Sequence, residues 1–375
     1  MPVTNKKIEL SIVLPCLDEE KAIETCIDQI IHTIQTYAIS MEIIIVDNGS
    51  KDASISIIQK IIEANKHTSL VDMKLVHEPI RGYGSAYQKG FSIARGTYIF
   101  MADLDGTYDF RDIPKFIDLL KKGNDLIIGN RFAKVTEKNT TNKLGSMPWH
   151  HKYIGNPVLS GLVRLFFGVK IKDIHCGIRA ITKEKLVTLN LKARGMEFAS
   201  EMIIKATKSH LSISEIPVTY TERFGSSKLN SFQDGWRHLR FILIYSPMVI
   251  FLIPGIVIFL IGIISTLNAS VYLHQLFLSA GCTIIGYQLI YFTFFAKIYA
   301  ITHLGEKNIL FEKLFNYITL ERAGIIGMLF LIIGILNEIY NNGIQGSIFG
   351  LILLVIGVQT ISSAFMLSIL AIKEK

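Results

Sequence analysis

The sequence predicts an α/β domain built on a mainly parallel sheet, followed by an all-α domain of four transmembrane helices. Three observations predict it. Through the first 240 residues, short apolar runs alternate with amphipathic helical patterns, and each run ends in a polar turn. Beyond residue 240 the chain is almost continuously apolar. The charges divide accordingly: residues 241–375 hold six of the 39 Lys plus Arg and five of the 31 Asp plus Glu. Of all 375 residues, half are hydrophobic and 19% are charged, with a formal net charge of +8; an ordinary soluble domain has about 25% charged residues. That balance, with a mean hydropathy of +0.39, excludes a disordered, collagenous or purely soluble chain. The expected organisation is a sheet domain over 1–230, an interfacial helix or linker over 231–240 and a membrane domain over 241–375.

Strands are expected at residues 10–14, 43–46, 75–77, 98–101 and 126–128. Between the first two, Ile23, Ile27, Ile30, Ile31 and Ile34 recur at spacings of three and four, which is one face of a helix. Such alternation gives a parallel sheet covered by helices, and ligands of these sheets bind in the crevice beyond the strands' carboxyl ends. The polar residues concentrate there. The first strand ends in Pro15-Cys16-Leu17-Asp18-Glu19 and the second in Val46-Asp47-Asn48-Gly49-Ser50-Lys51-Asp52, where Ser50 or Asp52 is equally suited to capping a helix. Arg81-Gly82-Tyr83-Gly84-Ser85-Ala86 in the third crossover offers backbone N–H groups and a guanidinium to a phosphate.

The fourth strand carries the sharpest signal, Met101-Ala102-Asp103-Leu104-Asp105-Gly106-Thr107-Tyr108-Asp109. Residues two apart in an extended segment point to the same side, so Asp103 and Asp105 converge. Neighbouring carboxylates repel unless a cation lies between them or one holds a proton. Oxygen-only ligands at a strand end suit Mg²⁺ or Mn²⁺ shared with a substrate diphosphate. A solvated Asp105-Gly106 turn is the competing reading.

In the second half, residues 241–266, 276–300, 323–340 and 347–372 are each able to span roughly 30 Å of hydrocarbon as helices. The connections 267–275 and 341–346 contain no Lys or Arg, whereas Lys297, Lys307, Lys313 and Arg322 surround the middle one and Lys373 and Lys375 close the chain. The positive-inside rule then places both termini and the sheet domain in the cytoplasm of a multi-pass membrane protein. Four buried helices of a soluble protein would need a polar shell that this region lacks. Residues 309–320, with Leu310, Phe311, Leu314, Phe315 and Ile318, read as an amphipathic surface helix. The run 8–17 is broken by Glu9 and stops at Asp18-Glu19-Glu20, so it reads as a strand and not as a signal peptide. Cys16, Cys26, Cys176 and Cys282 lack metal-ligand spacing and are read as free packing thiols.

In their order along the chain, the Pro15 to Glu19 turn, Val46-Asp47-Asn48-Gly49-Ser50, Asp103-x-Asp105 and Gly129-Asn130-Arg131-Phe132 resemble a glycosyltransferase of family two. The likeness covers roughly residues 8–240. Met147-Pro148-Trp149-His150-His151-Lys152-Tyr153-Ile154-Gly155-Asn156-Pro157, His175-Cys176-Gly177-Ile178-Arg179-Ala180 and Asp234-Gly235-Trp236-Arg237-His238-Leu239-Arg240 are similar to membrane-anchored polyprenyl-phosphate glycosyltransferases of the dolichyl-phosphate mannose and glucose synthase type. The resemblance implies the nucleotide-sugar-binding, Rossmann-like GT-A fold. It implies inverting, metal-dependent transfer of a hexose from a UDP-glucose or GDP-mannose type donor to a membrane polyprenyl phosphate. It assigns Pro15, Leu17, Glu19, Asp47, Asn48, Arg81, Gly84 and Asp103 to the donor, and Asp103 and Asp105 to Mg²⁺ or Mn²⁺ and the diphosphate. It assigns Arg131 to the lipid phosphate and to catalysis; His150, His151 and Lys152, by charge and position, and Asn156 and Arg179, within the matching stretches, complete the expected acceptor set. There are departures: Asn48 replaces a second Asp, Thr107 stands where Gln or His is common, and His150-His151-Lys152 replaces a basic pair.

The chemistry agrees with a phosphate acceptor. A phosphate monoester with a second pKa of about 6 is already mostly dianionic at neutral pH and is its own nucleophile. A sugar hydroxyl would call for a general base. Glu197 and Glu201 are the candidates for it, sharing a helix face if the helix begins by residue 197, and a structural or capping pair is the equal alternative. Arg131 has its own alternative, an ion pair inside the sheet domain. Trp149 to Lys152, and Lys228, Trp236, Arg237 and Arg240 ahead of the first span, are placed for headgroups. A processive polysaccharide synthase would carry Gln-x-x-Arg-Trp, whereas Gln233 here precedes Asp234-Gly235-Trp236-Arg237, the reverse order. A nucleotidyltransferase would want a triphosphate loop that residues 81–90 match poorly, and a membrane scaffold with a decayed transferase domain is opposed by the intact Asp pair. The expected partners are a nucleotide sugar, a polyprenyl phosphate and the lipid bilayer, with no nucleic acid; homo-oligomerisation is left open.

Overall fold

The computed structural model describes residues 8–37, 39–65, 71–133, 151–225, 231–267, 272–305, 308–341 and 343–372. The chain divides into two compact units, 1–242 and 243–375.

The first unit holds one sheet of β1 (Leu10–Cys16), β2 (Met41–Asp47), β3 (Val71–His77), β4 (Tyr98–Met101), β5 (Leu126–Asn130), β6 (Arg179–Thr182) and β7 (Ile213–Pro217). Their order is β3-β2-β1-β4-β6-β5-β7. All five expected strands are present. β6 is antiparallel to both β4 and β5, while the remaining pairs are parallel. Because only β6 is reversed, β4 and β5 run the same way and their carboxyl ends share one rim. β1 and β2 are buried on both faces, which is why they read as nearly continuous apolar runs.

The exception is Glu42, fully buried at the amino end of β2. It accepts from Ser11 Oγ at 2.6 Å, Arg95 N at 2.6 Å, Arg95 Nε at 2.9 Å and Lys74 Nζ at 3.2 Å. Burial pushes its carboxyl up, but these donors win and hold it below its usual range. The amino end of the sheet is thus a stability feature, leaving the opposite rim for ligands.

Helices α1 (Ile23–Tyr37), α2 (Ser54–Asn65), α3 (Tyr83–Ile93) and α4 (Ile113–Lys121) occupy the first four crossovers. α1 buries Ile23, Ile27, Ile30 and Ile34, the face its spacing predicts. A π turn, His151–Gly155, leads into α5 (Asn156–Phe167), and α6 (Lys183–Leu189), α7 (Phe198–Lys208) and α8 (Ser231–Tyr245) follow. Where an interfacial helix or linker was expected over 231–240, α8 is a continuous helix reaching Tyr245. Ser200 Oγ of α7 bridges His175 Nε2 at 3.2 Å and His238 Nδ1 of α8 at 2.9 Å. Burial drives both imidazoles towards the neutral form, His238 down to about 4 with help from the charge of Arg179.

In the second unit, a π turn Met248–Leu252 continues into α9 (Ile253–Leu267), followed by α10 (Leu273–Thr302), α11 (Ile309–Tyr317), α12 (Leu320–Tyr340) and α13 (Ile344–Leu370). The segments Met248–Leu267, Leu273–Thr302, Leu320–Tyr340 and Ile344–Leu370 are long and apolar enough to cross a membrane. The first starts at Met248 rather than 241, because Phe241 to Tyr245 complete α8 and Pro247 interrupts the helix by lacking an N–H and disfavouring helical geometry at Ser246. The amphipathic stretch from 309 forms α11, with Asn308 Oδ1 accepting from Phe311 N at 3.3 Å.

α9 and α10 approach through glycine. A Cβ on Gly286 would sit 2.4 Å from Phe259 N and 2.8 Å from the Gly255 carbonyl oxygen. Small residues let membrane helices pack backbone to backbone, where dispersion and not hydrophobicity holds them together. Gly286→Leu is therefore expected to force the two helices apart and lower the detergent-solubilised protein's melting temperature, at a cost of roughly 1–3 kcal/mol. Gly281→Leu, whose Cβ meets nothing within 4 Å, is the control. Fluorescence-detected size exclusion after heating distinguishes them, and equal melting of both variants would refute this packing.

Candidate active site

The turns after β1 and β2 are laced together. Pro15 lies opposite Val46 in the register, and Leu17 and Asp18 continue into the turn. Asp18, at φ 49°, accepts from Lys51 N at 2.6 Å, and its own N–H donates to Ser50 Oγ at 3.0 Å. Glu19 N donates to Ser54 Oγ at 2.9 Å, Glu20 N to Asp52 Oδ2 at 3.0 Å, and Ala53 N returns to Glu20 Oε2 at 3.0 Å. Ser50 and Asp52 therefore do more than cap a helix: they tie two strand ends into one frame. Asp47 accepts from Ser50 N at 3.0 Å and Gly49 N at 3.1 Å and pairs with His77 Nδ1 at 3.0 Å. Burial raises its pKa, yet these partners outweigh it and keep the carboxylate ionised below its usual range.

Asn48 is occupied by backbone. Its amide donates to the carbonyls of Glu78 and Ile80, both at 2.9 Å, and its Oδ1 accepts from Gly82 N at 2.7 Å. An Asp here would lose both donations, which accounts physically for Asn at this position. Arg81 lies over the same turn, its guanidinium about 3.5 Å from where a Gly49 Cβ would be. The glycines that follow admit protein. A Cβ on Gly82, at φ 145°, would lie 2.2 Å from the Arg194 carbonyl oxygen, and one on Gly84 2.1 Å from that of Ala193. Ser85 N donates to Arg194 O and Ala86 N to Gly82 O, both at 3.1 Å, so with Gly82 N this loop has spent three N–H groups internally.

Asp103 and Asp105 lie just beyond β4. One Asp103 oxygen, Oδ1, is sealed from solvent without a hydrogen-bond partner. The other fills the space of a side chain at Gly177, whose Cβ would fall 2.4 Å from it. Burial and the Asp105 charge push the Asp103 carboxyl up to about 7, against the pull of Tyr83, Arg223 and Arg131. Asp105 accepts from Thr107 N at 3.0 Å and Thr107 Oγ1 at 2.6 Å, and its other oxygen faces Arg223 Nη1 at 3.3 Å. Arg223 also pairs with Glu19, so one guanidinium joins the β1 turn to the Asp pair. The segment carrying it crosses above: Thr221 N donates to Thr107 O at 2.9 Å, Phe224 N to Asp105 O at 3.1 Å, and the Phe224 ring covers Gly106.

Arg131, at the end of β5, reaches the same rim, where it pairs with buried Asp173 through Nε at 2.7 Å and Nη2 at 2.8 Å. Its guanidinium lies 5.3 Å from the centre of the Tyr220 ring. The ion-pair reading of Arg131 thus describes one edge of the group, while its charge still acts on Asp103. Arg179 is elsewhere: fully buried, it donates to the carbonyls of Ile174 at 2.7 Å, Cys176 at 2.8 Å and Ala199 at 2.9 Å. Glu201 is also buried, paired with Lys205 at 2.8 Å and accepting from Ala193 N at 2.8 Å and Lys192 N at 2.9 Å. Glu197 precedes α7 without capping it with its side chain; Oε1 accepts from Gly195 N at 3.2 Å and Oε2 is sealed without a partner. Asn156 opens α5. Trp149, His150 and Lys228 lie outside the described residues, as do the side chains of His151 and Lys152.

Residues 11–187 match the model of glycosyl transferase family 2. The chain is 32% identical over 337 residues to the low-salt glycan biosynthesis hexosyltransferase Agl6 of Haloferax volcanii, a match covering 87% of this chain and 77% of that protein. The chain is a family 2 glycosyltransferase. It is also 29% identical over 247 residues to a dolichyl-phosphate beta-glucosyltransferase of Dictyostelium discoideum, covering 62% of this chain and 72% of that one. To a dolichol-phosphate mannosyltransferase of Pyrococcus furiosus it is 28% identical over 225 residues, 59% of each chain.

Three residues of this glycosyltransferase's rim escape sequence reasoning, Arg223, Asp173 and Tyr220, while Tyr83 and Gly177 stand in quoted motifs without a role of their own. Arg223 meets Glu19 across 204 positions of sequence, and no local spacing marks such a partner. Glu222-Arg223-Phe224-Gly225 after a strand-ending Pro217 was the available signal, a cation and a turn glycine returning to the rim.

The Asp pair fits a divalent cation in donor chemistry: two hard oxygens, one with no partner of its own. Among the described residues no group of three or more His, Cys, Asp and Glu is able to hold an ion alone, so the remaining ligands would come from substrate or water.

A buried Asp whose pKa is raised costs stability once ionised. The cost starts above the ordinary value of 3.8 and is complete above about 7. In chelator-treated protein, Asp103→Asn should raise the melting temperature by an amount that is near zero at about pH 4, grows with pH and levels off above about 7. A scanning-fluorimetry series reads this directly, and a pH-independent difference would show that Asp103 is not held near neutrality.

Proposed function

We propose that this glycosyltransferase moves a hexose from a nucleotide sugar to the phosphate of a membrane polyprenyl phosphate, with inversion. The observation that carries the reading is the contrast between the two sets of carboxylates. Glu201, a candidate base for a hydroxyl acceptor, is locked to Lys205 and two backbone N–H groups, while the Asp103–Asp105 pair stands at a rim bearing Arg223 and Arg131. A rim that bears these cations, with the candidate base Glu201 already occupied, suits an acceptor that is itself an anion. The four apolar helices supply the membrane in which such an acceptor resides. The names of the glucosyl- and mannosyltransferase relatives, which specify dolichyl phosphate, support the same acceptor class.

In this reading Asp103 and Asp105 hold Mg²⁺ or Mn²⁺, which would neutralise the leaving nucleoside diphosphate. Glu19 and Asp47, with Pro15, Leu17, Asn48, Arg81 and Gly84 around them, frame the donor, and the rigid lacing of the two turns fixes its orientation. Arg223 holds the β1 turn against Asp105. Arg131, oriented by Asp173, presents positive charge to the acceptor phosphate. His150, His151, Lys152 and Asn156 are assigned to the acceptor side as well. Arg179, whose guanidinium serves three carbonyls, is left out of that set. The sheet domain, both termini and the connection 301–322 are assigned to the cytoplasm.

Purified protein incubated with a panel of nucleotide sugars, Mg²⁺ or Mn²⁺ and a polyprenyl phosphate should yield a polyprenyl-phosphate sugar by mass spectrometry. Asp103→Asn and Asp105→Asn should each lower turnover by roughly 100-fold or more, and chelation should do the same. Arg131→Ala should raise the apparent KM for polyprenyl phosphate while donor binding by calorimetry stays nearly unchanged; Asp47→Ala should do the reverse. Product formation only on a sugar hydroxyl would overturn the acceptor assignment. Full activity without divalent cation would overturn the metal assignment.

Topology has a separate measurement. A Lys313→Cys variant should react with a membrane-impermeant maleimide only from the cytoplasmic side, since Lys297, Lys307, Lys313 and Arg322 flank this connection. Labelling from outside would invert the assignment.

A further inference from the structure

We propose that His77, oriented by Asp47, reads the base of the donor nucleotide by accepting a hydrogen bond from a ring N–H, which selects uracil or guanine over cytosine or adenine. The inference rests on the nucleotide-sugar reading above and names the side chain that meets the nucleoside.

Asp47 is the donor residue expected at the end of β2, yet its side chain is 2% exposed while that of its partner His77 is 63% exposed. The Asp47 oxygens are already engaged. Oδ1 accepts from Ser50 N at 3.0 Å, Oδ2 accepts from Gly49 N at 3.1 Å and from His77 Nδ1 at 3.0 Å, and the Ser50 hydroxyl also stabilises the carboxylate. Three of a carboxylate's roughly four lone-pair positions are thus taken, which leaves little of Asp47 for a substrate. The group it presents to the rim is the imidazole. An ionised carboxylate only accepts, so the proton of the neutral ring sits on Nδ1 and a lone pair remains on Nε2. Among the described residues Nε2 has no hydrogen-bond partner.

The backbone fixes where that lone pair stands. His77 lies opposite Asp47 in the parallel register of β2 and β3, Glu78 N donates to Asp47 O at 2.9 Å, and the Asn48 amide holds the carbonyls of Glu78 and Ile80, each at 2.9 Å. β3 is the outermost strand, and the Asp103–Asp105 pair lies beyond β4, three places along the order β3-β2-β1-β4. At about 4.8 Å per strand the separation along the rim is roughly 14 Å, the scale of a nucleoside extended from its diphosphate. A diphosphate held at the Asp pair would therefore lay its ribose over β1 and β2 and its base at the ends of β2 and β3. In the other direction the rim reaches β5 and Arg131, assigned to the acceptor.

The lone pair on Nε2 decides what it can meet. Uracil N3 and guanine N1 each carry a hydrogen, whereas the corresponding nitrogens of cytosine and adenine carry a lone pair, which an acceptor repels. All four bases are neutral, so hydrogen-bond polarity and not charge makes the selection.

The test is calorimetry on the full chain in detergent with Mg²⁺ or Mn²⁺, using UDP, GDP, CDP and ADP together with the ring-methylated forms N3-methyl-UDP and N1-methyl-GDP. Wild-type protein should bind UDP or GDP roughly five- to ten-fold more tightly than the methylated form, CDP or ADP, the effect of one hydrogen bond at a partly open site. His77→Ala should lower affinity for the preferred nucleotide by a similar factor and bind its methylated form equally well. His77→Asn keeps an N–H for Asp47 but offers nothing at the Nε2 position, so it should match His77→Ala. Melting temperatures establish that both variants are folded. Recovery of affinity and discrimination in His77→Asn would reduce His77 to a prop for Asp47 and overturn the proposal. Indifference of the wild-type protein to ring methylation would also overturn it, and needs no variant. Sensitivity to 2′-deoxy-UDP in place of methylation would move the contact to the ribose and refute the base assignment. Failure of wild-type protein to bind any of the four nucleotides would instead defeat the donor reading, and this proposal with it.

Discussion

Two carboxylates forced to share one poorly hydrated turn are the constraint around which the rest of the sheet domain is arranged. Asp103 and Asp105 repel, and burial removes the water that would screen them. The fold does not relieve this by exposing them. It reverses β6 between β4 and β5, so that the chain entering β6 passes behind Asp103 as a glycine, Gly177, whose N–H donates to the Tyr108 hydroxyl at 2.8 Å. It brings residues 220–225 across the front, where Tyr220 bridges to Tyr108 and Arg223 reaches Asp105. The result is a demand for positive charge that the protein meets only in part, with Asp103 held near neutrality. Such a site suits the divalent cation proposed for it, because its own residues leave the charge uncompensated.

The two arginines of the rim differ in freedom, and the difference follows from their partners. Arg131 is fixed by a bidentate pair with Asp173, which accepts from the Arg131 backbone N–H at 3.0 Å as well, while the Asp173 N–H donates to Glu215 at 2.8 Å. A guanidinium held along one edge and lying over Tyr220 keeps its orientation whether or not an anion is present. Arg223 bridges Glu19 and Asp105, two carboxylates that are themselves expected to engage donor and metal. In the proposed reading its contacts are with groups that would take other partners when substrate binds. A preset cation on the acceptor side and an exchangeable one on the donor side are consistent with a metal that arrives with the nucleotide and a phosphate that arrives from lipid.

The sequence discloses the sheet and the Asp pair because both depend on short-range pattern. Apolar runs mark β1 to β5, and the acidic pair directly follows the fourth run; the expected period-two alignment does not apply, because β4 ends at Met101 and Asp103 and Asp105 sit in the turn beyond it. What it conceals is determined by contacts distant along the chain. β6 is four residues long and begins with an arginine, a poor strand signal until Arg179 is seen donating to three carbonyls. Gly82 and Gly84 suit a phosphate loop in isolation, but Ala193 and Arg194 occupy the space they leave. Glu201 has the spacing of a base and the environment of a structural anion, since Lys205 and the 192–193 backbone surround it. In each instance residue type was legible and partner was not. Arg179 shows the same limit: a motif position carries its chemistry to the surface or into the core according to neighbours that spacing does not name.

The proposed division between a rigid donor side and a lipid-directed acceptor side has a physical logic. A nucleotide sugar reaches the rim from water with its charge fully hydrated, so its binding gains most from donors and acceptors already in place. The lacing of Asp18, Glu19 and Glu20 with Ser50, Asp52 and Ser54 supplies that preorganisation without any large apolar surface. A lipid phosphate brings its hydrocarbon with it and cannot leave the boundary of the bilayer without exposing that hydrocarbon to water. The protein must therefore come to the acceptor. In the proposed reading, transfer requires that a dianion at the interface meet an anomeric carbon held by the frame of β1 and β2, and neither substrate has to cross between water and hydrocarbon.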